Sequence, residues 1–173
     1  MPKVHHVKKA RKDVRGSDIK KGESYYWWAF MVGGRGGTKR VSRTHPRPSQ
    51  LTQSEYLSTC LAAQESVQDA NVSDIDTLIS TLESAKDEIS NQADECDNKY
   101  NNMPDSLQQG ETGQLLESRR DAAQAVAEAI DEAIGQLNDL STEFEEDHDE
   151  GEDDDLIDRA QDIIDGIDWE FGD

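Results

Sequence analysis

Apolar and aromatic residues are scarce in this chain. Hydrophobic side chains make up 34% of its 173 residues and aromatic side chains 6%, whereas globular domains average about 45–50% apolar residues with glycine included. No apolar run reaches the ~18–20 residues of a membrane span, and no apolar stretch follows the basic N-terminus as it would in a secretory signal. We therefore expect a cytoplasmic protein without membrane contact, with a modest core and a solvated part of the chain.

Signals for catalysis, metals and cofactors are also missing. The two cysteines, Cys60 and Cys96, show no paired spacing, and we expect both to be buried thiols on helix faces. The histidines near the N-terminus lack a closed set of four ligands; they are His5, His6 and His45. The glycine-rich segment 33–37 lacks the Lys-Ser/Thr that completes a phosphate loop. We expect no enzyme, no metal and no cofactor.

Acidic residues are scarce in the first part of the chain, and basic residues are scarce in the rest. Residues 1–48, the basic head, hold thirteen Lys/Arg and three Asp/Glu, a formal charge of about +10. Residues 49–173 hold five Lys/Arg and thirty-five Asp/Glu, a formal charge of −30. The head suits a polyanion and the remainder repels one. This division favours a binding or interaction protein over an enzyme.

The basic head has the pattern of a small β-ribbon. Residues 3–12 alternate weakly and predict a Lys-rich edge strand. Residues 25–32 (YYWWAFMV) are the strongest strand signal, and residues 38–44 predict its hairpin partner. Pro46 and Pro48 then end the sheet.

Cations and aromatics of this ribbon predict nucleic-acid binding, because cations neutralise phosphates and exposed aromatics stack on bases. The candidate contacts are Lys8, Lys9, Arg11, Lys12, Arg35, Lys39, Arg40 and Arg43, with Trp27 and Trp28 as stacking residues. Two alternatives stay open. The aromatics form the core of the ribbon itself, or the anionic partner is the acidic tail of the same chain.

Three helices are predicted in the body, residues 49–140. The Thr52–Glu55 capping box predicts a helix over 52–70, and apolar stripes predict helices over 73–103 and 112–140. Long helices joined by about ten residues form an antiparallel hairpin. The predicted fold is mainly α, a helical hairpin or bundle with a small N-terminal β-ribbon and an acidic, partly disordered C-terminal tail. Self-association along the stripes stays open.

The acidic tail has two parts. Residues 141–155 are a block of like charge and predict a disordered linker, whereas residues 156–171 predict an amphipathic acidic helix with an aromatic end. Such a helix suits docking on a partner protein. The candidate partner-binding residues are Leu156, Ile157, Ile163, Ile164, Ile167, Trp169 and Phe171. In the alternative, this helix packs back on the helical hairpin.

Four phrases of the sequence resemble a family of uncharacterised phage-encoded proteins. They are KVHHVKKARKD, KKGESYYWW, RPSQLTQSEYLS and NNMPDSLQQGETGQLLESR. The family combines a basic, zinc-ribbon-like N-terminal region with following helices, but residues 14–17 and 44–46 replace its paired cysteines here. The resemblance implies a phage origin, an accessory role in the cytoplasm of a host cell and a head without zinc.

Three functions follow as hypotheses. The first is a non-enzymatic accessory protein that binds nucleic acid through the head, while the tail recruits a host or phage protein or restrains the head. The second is an acidic DNA mimic that inhibits a host protein as a counter-defence. The third is a structural component of a virion or of its assembly.

Overall fold

The computed structural model describes residues 1–31, 37–146 and 153–172. Three strands are present, β1 (His5–Val7), β2 (Tyr25–Ala29) and β3 (Lys39–Ser42). A 3-10 turn (Pro48–Leu51) precedes the helices, which are α1 (Glu55–Gln68), α2 (Ile75–Asn101), α3 (Asp105–Gln108), α4 (Glu111–Glu146) and α5 (Asp153–Asp165). The fold is mainly α, as predicted. No described helix has both the length and the apolar character needed to cross a bilayer.

The chain divides into two compact units within α1. We call residues 1–58 the N-terminal unit and residues 59–173 the helical unit. The division falls ten residues after the predicted end of the head, because the 3-10 turn and the first turn of α1 belong with the sheet.

The N-terminal unit contains an antiparallel sheet in the order β1-β2-β3. Trp27 of the central strand pairs with His5 on one side and Val41 on the other. All three strands are shorter than the predicted segments. Residues 10–23 fold into a second, irregular ladder, in which the Ala10 amide donates to the Glu23 carbonyl at 2.8 Å.

The core of the N-terminal unit lies on one face of β2. Trp28 and Phe30 are two positions apart, so they face the same side of the sheet, and both are buried. The Trp28 indole N–H donates to the Gln50 carbonyl at 3.1 Å, which joins the sheet to the 3-10 turn. Tyr56, in the first turn of α1, is buried as well.

Helix α1 begins three residues later than the capping-box pattern predicts. The Thr52 hydroxyl accepts from the Ser54 amide in a local turn. The Ser54 hydroxyl accepts from the Leu57 amide, which makes Ser54 the N-cap. Local hydroxyl turns compete with helix formation, and here the turn at Thr52 prevails.

Helices α2 and α4 pack antiparallel along the predicted stripes. Lys86 of α2 pairs with Asp131 of α4, and Arg120 of α4 pairs with Asp97 of α2. As the number rises along α2, the number of its partner falls along α4. The buried stripe of α2 is Ile75, Leu78, Leu82, Ala85, Ile89, Ala93 and Cys96. The opposing residues of α4 are Ala123, Val126, Ile130, Ala133, Leu137 and Leu140.

The acidic tail differs from the prediction at both ends. Helix α4 continues to Glu146, so residues 141–146 of the predicted linker are helical. Residues 147–152 of that linker lie outside the described residues. Helix α5 covers 153–165 rather than 156–171. It ends immediately before Gly166, and residues 167–171 continue without helical structure.

The C-terminal segment packs back on α4. Arg159 donates to Glu143 at 2.9 Å, and a Cβ placed on Gly172 would lie 3.5 Å from the Cβ of Ala122. Since the numbers rise along one segment and fall along the other, the segment runs antiparallel to α4. The structure therefore adopts the alternative in which the amphipathic helix packs on the hairpin.

Candidate nucleic-acid interface

The N-terminal unit exposes many cations that have no carboxylate partner. It has twelve described Lys/Arg, of which Lys20 and Arg43 contact carboxylates and Arg47 has a partner as well. The other nine form no ion pair with a described residue of the unit. They are Lys3, Lys8, Lys9, Arg11, Lys12, Arg15, Lys21, Lys39 and Arg40. Uncompensated exposed cations attract a polyanion and release its counterions on binding.

Trp27 is the aromatic centre of the half-exposed sheet face. The His5 ring stacks on it with centroids 4.2 Å apart and planes inclined by 11°. The Lys39 ammonium lies 4.5 Å from the centroid of its ring, a cation–π distance. Because β1 and β3 flank β2, these two neighbours reach Trp27 from opposite sides of the strand.

Trp28, the second predicted stacking residue, lies in the core. Its side chain is 3% exposed and its N–H is already bonded to Gln50. Successive residues of a strand face opposite sides of the sheet, so Trp27 and Trp28 cannot share a binding surface. The core interpretation of the aromatics holds for Trp28 and Phe30.

The arginines of the ribbon have different surroundings. Arg43 donates to the Asp18 carbonyl at 2.8 Å and lies 3.4 Å from a Glu23 carboxylate oxygen. The Lys20 amide, helped by Arg43, holds the pKa of Glu23 below its usual value. The guanidinium of Arg40 lies 5.5 Å from the Phe30 ring centroid. Arg35 lies outside the described residues.

The four cations that follow β1 are all exposed; they are Lys8, Lys9, Arg11 and Lys12. Two of them, Lys9 and Arg11, line an open groove of about 610 Å³ together with Ala10, Lys21 and Gly22. Lys21 is absent from the predicted contacts. Backbone pairing between Ala10 and residues 22–23 brings it there, and no signal in the linear sequence indicates this pairing.

Among the described residues, no group of three or more His, Cys, Asp or Glu side chains is arranged to hold a metal ion. His5 stacks on Trp27, and His6 stacks on Tyr26 with centroids 4.6 Å apart. Within residues 14–17, the Ser17 hydroxyl donates to the Val14 carbonyl at 3.1 Å and forms a local hydroxyl turn.

The predicted partner-binding residues are divided between core and surface. Ile164, Ile167 and Phe171 are buried in the helical unit. The half-buried remainder is Leu156, Ile157, Ile163 and Trp169. Trp169 and Phe171 contact each other with ring centroids 6.2 Å apart. Docking of the buried residues on a partner requires that the segment leave α4.

The helical unit presents ordered carboxylates on its surface. Exposed acids of α2 include Glu83, Asp87, Glu88, Asp94 and Glu95, and those of α4 include Glu128, Asp131, Glu132 and Asp139. Acids four residues apart on a helix are separated by about 6 Å along its axis.

The thiol of Cys96 lies inside the helical unit, where burial raises its pKa.

Comparison of the chain with family models, curated proteins and solved structures finds no match in any of the three.

Proposed function

We propose that this protein is a non-enzymatic accessory protein that binds nucleic acid through its N-terminal unit. The observation that carries the proposal is a contrast in charge pairing. Nine of twelve described cations in the N-terminal unit lack a carboxylate partner there. In the helical unit, by contrast, Lys86, Lys99, Arg120 and Arg159 contact carboxylates. Unpaired cations on one small unit are what phosphate binding requires.

The surroundings of Trp27 favour a single strand over a duplex. Bases of a single strand are free to stack on an aromatic ring, and such stacking tolerates any sequence. His5 and Lys39 cover the ring in the unbound protein. When a base replaces Lys39, its ammonium becomes available to a neighbouring phosphate.

The helical unit supports this function by repulsion. Its formal charge is −29, from five Lys/Arg and thirty-four Asp/Glu in residues 59–173. Such a unit weakens non-specific attraction to nucleic acid and keeps the protein soluble. The phage origin and the accessory role rest on the sequence resemblance.

The test is a mobility shift of the full-length protein with single-stranded and duplex DNA across a salt series. For three to five phosphate contacts, log K falls against log salt with a slope of about −2 to −4 on single strands. The variant K8Q/K12Q lowers both affinity and slope. The control K86Q/K99Q removes the same charge from cations of the helical unit that are already paired. It leaves the salt slope unchanged and, through added repulsion, weakens binding by less than K8Q/K12Q does. Absence of a shift at about 50 mM salt, or equal effects of both variants, contradicts the proposal.

A second candidate, the acidic DNA mimic, is favoured by the ordered carboxylates of α2 and α4. A mimic inhibits a DNA-binding nuclease directly and does not need the cations of the N-terminal unit. Inhibition by K8Q/K12Q that equals inhibition by the wild type, at a DNA concentration well above that of the protein, supports this candidate. Inhibition that disappears with excess DNA identifies simple competition for the substrate and favours the first.

A further inference from the structure

We infer that the groove lined by Lys9, Arg11 and Lys21 is a binding site for one phosphate group of a nucleic-acid backbone. This inference rests on the proposed function and assigns a position to one of its contacts. Neither Lys21 nor the groove is evident from the sequence pattern.

The groove is formed by backbone pairing. The Gly22 amide donates to the Ala10 carbonyl at 2.9 Å, and the Ala10 amide donates to the Glu23 carbonyl. Ala10 is buried, while its chain neighbours Lys9 and Arg11 are exposed. Gly22 has φ +98°, a backbone conformation that residues other than glycine rarely adopt. The turn therefore holds Lys21 beside Lys9 and Arg11.

The nearby carboxylates contact backbone amides and cations other than the three side chains of the groove. Asp13 accepts from the Lys21 amide at 2.8 Å and lies 3.9 Å from the Lys20 ammonium. Glu23 accepts from the Lys20 amide at 2.7 Å and lies beside Arg43. No ion pair with a described residue of the unit neutralises Lys9, Arg11 or Lys21. Three cations that form no such ion pair thus line one open groove.

The chemistry of the three side chains matches a phosphodiester. A guanidinium donates two parallel hydrogen bonds to phosphate oxygens, and lysines add point charges. An open groove of about 610 Å³ admits a continuous sugar–phosphate chain, whereas an enclosed pocket would admit only a free anion. No base edge is read here, so the contact positions the strand without selecting its sequence.

The test compares two doubly substituted full-length proteins with the same loss of charge. R11Q/K21Q removes two cations of the groove, and K3Q/R15Q removes an exposed lysine and an exposed arginine outside it. We expect R11Q/K21Q to weaken binding of a single-stranded oligonucleotide about tenfold or more and to reduce the salt slope by about 1. We expect K3Q/R15Q to weaken it only about threefold.

Amide NMR shifts of Lys21 and Gly22 distinguish the sources of phosphate. We expect both amides to shift with the oligonucleotide, and to shift with inorganic phosphate only at much higher concentration at matched ionic strength. If R11Q/K21Q and K3Q/R15Q lose affinity for the oligonucleotide equally while the wild type binds it, the groove assignment is overturned and the proposed function stands. Shifts with inorganic phosphate alone overturn the nucleic-acid assignment, and absence of oligonucleotide binding by the wild type overturns both.

Discussion

The indole N–H of Trp28 donates to the backbone carbonyl of Gln50 across 3.1 Å. This bond ties the central strand of the sheet to the turn that leads into α1. Trp27, its neighbour in the chain, lies on the other face with His5 and Lys39 around it. Two adjacent tryptophans therefore have separate roles, one in stability and one in the proposed binding.

Trp28→Phe and Trp27→Phe separate these roles. Phe cannot donate to Gln50, so W28F leaves a carbonyl without its partner and lowers the free energy of unfolding by about 1–3 kcal/mol. W27F keeps an aromatic ring on a half-exposed face and changes stability by less than about 1 kcal/mol. Urea unfolding followed by circular dichroism measures both. Equal losses of stability contradict the division, and so does weakened nucleic-acid binding by W28F alone.

Gly113→Ala and Gly135→Ala act in opposite directions within α4. A Cβ on Gly113 would overlap the backbone carbonyl of Gln108, which is not the end of a flexible side chain and cannot rotate away. We expect G113A to destabilise the protein by about 2 kcal/mol or more. A Cβ on Gly135 meets nothing within 4 Å, so G135A stabilises the helix by about 0.5–1 kcal/mol. Thermal unfolding of the two variants gives the sign of each change.

Asp74 makes the stability of α2 depend on pH. It caps the helix by accepting from the Thr77 amide at 3.0 Å, and this bond lowers the pKa of Asp74. The cap contributes fully above the ordinary aspartate pKa of about 3.9 and is lost as the pH falls through the lower folded value.

Substitutions at Asp74 isolate this contribution. Asn caps as well as Asp but does not titrate, so D74N keeps near-wild-type stability at neutral pH and retains its cap in acid. D74A is less stable than the wild type at neutral pH, and the difference disappears in acid. Urea unfolding at both pH values checks this. A difference between D74A and wild type that stays constant down to strongly acid pH contradicts the assignment.

Charge removal and deletion of the C-terminal segment have different effects. Deleting residues 141–173 removes Ile164, Ile167 and Phe171, which are buried in the helical unit. We expect the truncated protein to unfold at lower temperature and to aggregate through uncovered apolar surface. Ile164→Ala costs about 2–5 kcal/mol, whereas alanine at the half-buried Ile163 costs less.

The triple variant D158N/D162N/D168N keeps that packing, because all three side chains are exposed. We expect it to unfold with the wild type and to bind nucleic acid a few-fold more tightly at low salt, since repulsion falls. The gain disappears above about 0.5 M salt, where screening is strong. A mobility shift at two salt concentrations decides the matter, and a gain that survives high salt excludes repulsion as its cause.

Helical periodicity predicted the largest part of the fold. The stripe from Ile75 to Cys96 is buried as expected, because a helix 27 residues long repeats its pattern often enough to be unambiguous. The ends of the helices were predicted less well, because local hydrogen bonds compete with the helix there. Thr52 and Glu55 form a capping-box pattern, but Thr52 bonds to the Ser54 amide instead. The acidic residues after Leu140 suggested a linker, yet α4 continues through them to Glu146.

The chain alone specified the charge division, the helical stripes and the aromatic central strand, because composition and periodicity are properties of residues near each other in sequence. Tertiary structure decided that Trp28 rather than Trp27 is buried, since alternation separates the two faces of a strand without saying which one the turn covers. It also decided that α5 lies on α4 and that Lys21 joins Lys9 and Arg11. Both outcomes depend on contacts between distant segments, and local pattern carries no information about such contacts.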